Sequence, residues 1–204
     1  GNFTVRGATK TPYAFATETI PTTDQHLHVY GSTSVAGWQA GGSATLAPAS
    51  GTMAPGFINL SVGTLNLNNV PVTTPTLTFS SGILGGSSAL TVSNTLNWAS
   101  GTMNGTGGTT LAAGASGTFG ASAATNLVST TFNNQGSLIW AVVNDLTMQS
   151  AAVFNNQAGA TLNIQNNRPV QNFGGPASSF SNAGTITKIS TGTTVNAIAF
   201  TNAS

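Results

Sequence analysis

Charge is what this sequence has least of. Four Lys/Arg and three Asp/Glu make up 3% of 204 residues, where an ordinary soluble domain carries roughly 25%. The surface must therefore be built from Thr, Ser, Asn, Gln and Gly. Arg6, Lys10, Arg168 and Lys188 are scattered, so no basic patch exists to hold a phosphate backbone, and nucleic acid is not an expected partner. Cysteine is absent, which removes disulfides and thiolate metal sites. No apolar run approaches the ~18 residues of a membrane helix, so membrane insertion is not expected. The net charge is only +1. Disorder usually joins low hydrophobicity to high net charge, and that combination is missing here. Weak net repulsion favours self-association.

Catalytic groups are equally sparse. The only acids are Glu18, Asp24 and Asp145, and glycoside hydrolysis needs a close pair of carboxylates. Ser and Thr abound, but no base is arranged beside one of them. The chain is read as a non-enzyme without catalytic residues or cofactors. Asp24, His26 and His28 fall at i, i+2 and i+4, on one face of a strand. A structural zinc site takes four ligands and no fourth is apparent, so no metal site is expected. Asp145 is expected to pair with Arg168 or Lys188 between coils.

What is present is repetition. Phe132-Asn133-Asn134-Gln135-Gly136, Phe154-Asn155-Asn156-Gln157-Ala158-Gly159, Phe180-Ser181-Asn182-Ala183-Gly184 and Phe200-Thr201-Asn202 share a Phe-x-Asn start. Aligned on their glycines, the second copy is one residue longer. The Phe positions lie 22, 26 and 20 residues apart, a spacing that signals a repeat architecture. Each unit is too short to bury an apolar face alone, so neighbours must stack. Leu138 and Trp140, Leu162 and Ile164, and Ile186 then Lys188 alternate along the segments that follow, as strands do. Gly is read as supplying the positive φ of a tight corner. Stacked Phe would fill the inside, and stacked Asn would bridge successive corners by amide bonds. The predicted fold is all-β, a parallel β-helix or β-solenoid.

Three regions are distinguished. Residues 1–31 hold most of the ionisable groups and read as a strand and extended arm. Residues 32–75 carry four prolines and read as irregular first coils. Residues 76–204 read as regular coils. No window shows helical periodicity with caps.

Leu90-Thr91-Val92-Ser93-Asn94-Thr95-Leu96-Asn97-Trp98-Ala99-Ser100-Gly101-Thr102-Met103 and Phe154–Ile164 resemble the coil units of large secreted bacterial β-helix proteins, adhesin-like and autotransporter-passenger-like. The resemblance covers residues 76–204. It implies a right-handed parallel β-helix outside the cell. It does not extend to the N-terminal third.

The fourth copy stops at Phe200-Thr201-Asn202-Ala203-Ser204, before its Gly and strand, and the chain begins Gly1-Asn2-Phe3-Thr4-Val5. Placed after Ser204, those residues would supply the missing Gly and apolar side chains at Phe3 and Val5. This predicts strand donation from one copy to the next, a head-to-tail contact that propagates as a filament. The interface would comprise Gly1, Phe3, Val5, Phe200, Asn202 and Ser204. The start without Met fits a secreted chain trimmed of its leader or a piece of a longer one. Trp98 and Trp140 occupy positions shared with Leu and Ile and are expected in the core, which leaves Trp38 as the candidate for stacking on a sugar ring. The function expected is that of an extracellular, self-assembling structural protein, whose partner is itself and whose second contact is a surface or matrix polysaccharide. The alternative is a glycan- or ice-binding module using a flat Thr/Asn face.

Overall fold

The computed structural model describes residues 3–6, 19–20, 27–30, 38–40, 44–47, 51–141, 144–192 and 198–203. Among them are strands and turns and no helix, and every strand pair is parallel. The chain is a β-solenoid, as the repeats predict. Parallel neighbours need long crossovers, and here each crossover consists of the other strands of the same turn.

From residue 58 on, the turns line up in three stacks. The first holds residues 72–74 and 90–92, then Thr109–Leu111, Thr131–Asn134, Val153–Asn156, Ser179–Asn182 and Ala199–Asn202. The second holds Ile58–Leu60, residues 76–79 and 95–98, Ser116–Phe119, Ser137–Trp140, Thr161–Ile164 and Thr185–Lys188. Val72–Phe79 and Leu90–Trp98 run through both stacks, with a register shift between Val92 and Thr95. The third is a seven-stranded sheet from Ala44–Leu46 to Val170–Asn172. Register passes the expected boundary at 75/76 without a break, because Ile58–Leu60 already pairs with Leu77–Phe79 and Trp38–Ala40 with Ile58–Leu60.

Alternation decides what faces inward. The four residues of Thr161–Ile164 are exposed, buried, half-buried and buried in turn. Repeating that pattern at fixed register turns single residues into columns. Phe132, Phe154, Phe180 and Phe200 are stacked in register, with ring centroids 5.3, 4.5 and 5.5 Å apart. In the second stack Phe79, Trp98, Phe119 and Trp140 form another column, in which Phe79 and Trp98 are 5° from parallel. Both Trp98 and Trp140 are 1% exposed, as expected of core residues.

The corners correct two readings. Register sets Leu162 on Leu138 and Thr161 on Ser137, so Ala160, not Gly159, takes the place of Gly136, and the second corner is two residues longer. Positive φ holds at Gly159 (82°) but is not the reason for Gly136 or Gly184. A Cβ at Gly136 would stand 2.2 Å from the Ala115 carbonyl oxygen, and one at Gly184 would stand 2.4 Å from those of Ala160 and Gln157. These two glycines let successive turns approach.

Candidate assembly surface

The polar feature that unites the last four turns is a buried line of carboxamides. In the inner position two residues after each Phe, register stacks Asn134, Asn156, Asn182 and Asn202. Asn134 Nδ2 donates to Asn156 Oδ1, Asn156 Nδ2 to Asn182 Oδ1 and Asn182 Nδ2 to Asn202 Oδ1, each at 2.7 Å. The second hydrogen of each donating amide is also used. Asn134 gives it to the Thr161 carbonyl at 2.9 Å, Asn156 to that of Thr185 at 3.2 Å and Asn182 to that of Gly184 at 3.2 Å. Each amide thus joins one turn to the next and holds a corner carbonyl. Asn134, Asn156 and Asn182 are buried, where an unpartnered amide would be costly. Below Asn134 the same position is Leu111, so the line begins there, and Asn134 Oδ1 accepts instead from the Gly136 N–H. A second, outer line runs beside it: Asn155 Nδ2 donates to Asn133 Oδ1 at 2.9 Å and Ser181 Oγ to Asn155 Oδ1 at 2.6 Å.

At Ala199–Asn202 both inner columns come to the surface. Phe200 packs on Phe180 yet is 49% exposed. Asn202 accepts from Asn182. Of the expected interface residues, Phe200 and Asn202 are therefore brought together on one strand. Gly1 and Ser204 lie outside the described residues. Phe3 and Val5 belong to Phe3–Arg6, which pairs in parallel with Leu27–Tyr30 of its own chain, Phe3 against Leu27 and Val5 against Val29. A donated strand would have to leave that partner, and the arrangement seen is an N-terminal strand already seated.

The remaining candidates are placed as follows. Asp24, His26 and Glu18 lie outside the described residues; His28 stands opposite Thr4. Among the described residues no group of three His, Asp or Glu comes together. Trp38 pairs in register with Ile58 along the backbone, and its side chain lies outside the described residues. Asp145 meets Arg168, Nε to Oδ1 at 3.9 Å, and accepts from Gln171 Nε2. Lys188 takes no part in that pair. It bonds three neutral oxygens instead.

A regular outer face was only half legible. In the second stack Thr76, Thr95, Ser116, Ser137, Thr161 and Thr185 fall in one outward column, and all but the half-buried Thr76 are exposed. Thr76-x-Thr78 and Thr185-x-Thr187 stand at its two ends. The serines between them became part of it only through register.

No family model matches the chain, and no curated protein or solved structure matches it. Fold and surface chemistry are what a functional reading has to stand on.

Proposed function

We propose that this chain is a structural component of an extracellular fibre or matrix, and that it assembles with further copies of itself by strand addition at Ala199–Asn202. The observation that carries the reading is that the phenylalanine and asparagine columns run unbroken through four turns, so that each turn offers the next an aromatic ring and a carboxamide to stack on. A strand added in parallel would cover Phe200 and continue the amide line, the same contact already repeated between the turns below. Parallel strand addition of this kind draws affinity from backbone bonds and specificity from alternate side chains. A head-to-tail contact does not close on itself. The scarcity of charge supports the same reading, since cohesion through apolar columns and amides is not weakened by charge screening. The resemblance of residues 76–204 to secreted adhesin-like coils supports an extracellular setting. The work is mechanical: stiffness and cohesion without catalysis.

Sedimentation velocity across a concentration series, paired with negative-stain microscopy, tests it. Wild-type chain should assemble into unbranched filaments, and Phe200→Ser with Asn202→Ala should remain monomeric with unchanged β content. A wild-type chain that stays monomeric at every concentration sinks the reading.

A second reading rests on the hydroxyl column. Six Ser/Thr hydroxyls repeat at the ~4.8 Å strand spacing, with a second outward column ~7 Å away along each strand. That column holds Thr78, Asn97, Thr118, Ile139, Asn163 and Thr187. Ile139 and the two amides break the uniform Thr lattice that ice would require, so the array suits the hydroxyls of an extended neutral glycan better. Retention on insoluble polysaccharide should fall for Thr95→Ala/Thr161→Ala, and equal retention of the variant would exclude this face.

A further inference from the structure

In the second stack the inner column Leu60, Phe79, Trp98, Phe119, Trp140, Ile164 ends on a lysine. Lys188 pairs in register with Ile164, so a charged side chain holds the position of an aromatic ring. Strand alternation alone would place Lys188 inward. Its ammonium, however, turns to the corner of the turn beneath. Nζ donates to the Asn166 carbonyl at 2.7 Å, to Asn167 Oδ1 at 2.6 Å and to Ser190 Oγ. Ser190 Oγ itself donates to the Asn166 carbonyl at 2.6 Å. An ammonium has three N–H groups, and all three are used on neutral oxygens. Lys188 is half-buried, while Ile164 beneath it is 9% exposed.

We infer that Lys188 is a stop. It prevents any further inward-facing strand from seating on Thr185–Lys188, whether that strand belongs to a second copy or to a following turn of the same polypeptide. A strand laid there would seal the ammonium from water with no carboxylate to pair with, a heavy desolvation penalty. Inward-pointing charge, lysine above all, is one of the ways sheet edges resist unwanted pairing. The two last strands are thus unlike. Ala199–Asn202 accepts a strand with an apolar side chain over Phe200 and a side-chain oxygen over Asn202, whereas Thr185–Lys188 accepts none. The partner this end fits is a single parallel strand and not a whole turn. The same geometry rules out seating Phe3 and Val5 over Ile186 and Lys188, the position their spacing after Gly1 suggests.

The test compares the 204-residue chain with Lys188→Ile, Lys188→Gln and, as control, Thr187→Ile, which adds the same apolar group on the outward face. Far-UV circular dichroism checks that each keeps its β spectrum, and sedimentation velocity gives the concentration for half-association. Lys188→Ile should lower that concentration by at least about tenfold, a difference of one decade in equilibrium constant. Lys188→Gln should shift it the same way by less, and Thr187→Ile should not shift it. The stop is overturned if Lys188→Ile sediments like wild type, or if Thr187→Ile associates as strongly. Should Lys188→Ile lose its β spectrum, Lys188→Gln decides, and wild-type sedimentation of that variant overturns the proposal. Adding Phe200→Ser to Lys188→Ile separates the two ideas: it removes strand addition at Ala199–Asn202 and leaves the lysine effect in place.

Discussion

Asn134 and Asn156 are 22 residues apart in sequence and 2.7 Å apart at their amides. That contact is one rung of a buried ladder whose every donating hydrogen is used. It sits beside the stacked rings of Phe132 and Phe154, and the two columns together tie the last four turns to one another.

Breaking the ladder at its middle should be expensive. Asn156→Ala removes the acceptor of Asn134 and the donor to both Asn182 and Thr185. Each buried polar group left alone costs ~1–3 kcal/mol, so a loss of about 3 kcal/mol or more is expected in urea unfolding. Asn155→Ala, on the half-buried outer line, should cost less than about 1 kcal/mol.

The ring column should show a gradient. Phe154 is fully buried between Phe132 and Phe180, while Phe200 is 49% exposed. Phe154→Ala is expected to lose ~3–5 kcal/mol and Phe200→Ala about 1 kcal/mol or less. Equal losses, read from denaturation midpoints at constant slope, would contradict the packing described.

Two glycines should respond differently to the same methyl group. At Gly159 the φ is +82° with nothing within 4 Å of a new Cβ, so Gly159→Ala should cost only the ~1–2 kcal/mol of a left-handed backbone. At Gly136 the methyl would collide with the Ala115 carbonyl oxygen at 2.2 Å. Gly136→Ala must push two turns apart and should be clearly the more damaging in a thermal melt.

Salt should matter little. The Asp145–Arg168 pair is long, and its Arg168 side chain is 54% exposed; exposed pairs contribute ~0–1 kcal/mol. Asp145→Asn, which keeps an acceptor for Gln171, should shift stability by under about 1 kcal/mol. A large drop in melting temperature in 1 M salt would show that electrostatics carry more of the fold than the columns do.

Periodicity made the solenoid legible because each turn repeats one inner pattern. Phe132, Phe154, Phe180 and Phe200 announce their column by spacing alone, and the alternation of Leu138 with Trp140 gives the inner face of the next strand. The glycine corners were legible in place but not in cause: Gly136 and Gly184 answer to carbonyls of the turn beneath, 20 or more residues away, which no local pattern contains. Lys188 was visible as an interruption of the apolar alternation, yet its meaning depends on Asn166, Asn167 and Ser190, which converge only through the fold. The hydroxyl column was hidden for a similar reason. Ser116 and Ser137 look like ordinary turn residues until register lines them up with Thr95 and Thr161. The strand-donation reading rested on matching Gly1–Val5 to a vacant unit. The pairing of Phe3–Arg6 with Leu27–Tyr30 depends on contacts the repeat does not encode.

Each carboxamide of the ladder passes its hydrogens in one sense only, from Asn134 toward Asn202. The ladder is therefore a vector with chemically unlike ends. Two chains meeting tail against tail would oppose hydrogen to hydrogen along this line, so a twofold-symmetric pair cannot extend it; any polymer built on the ladder must be oriented.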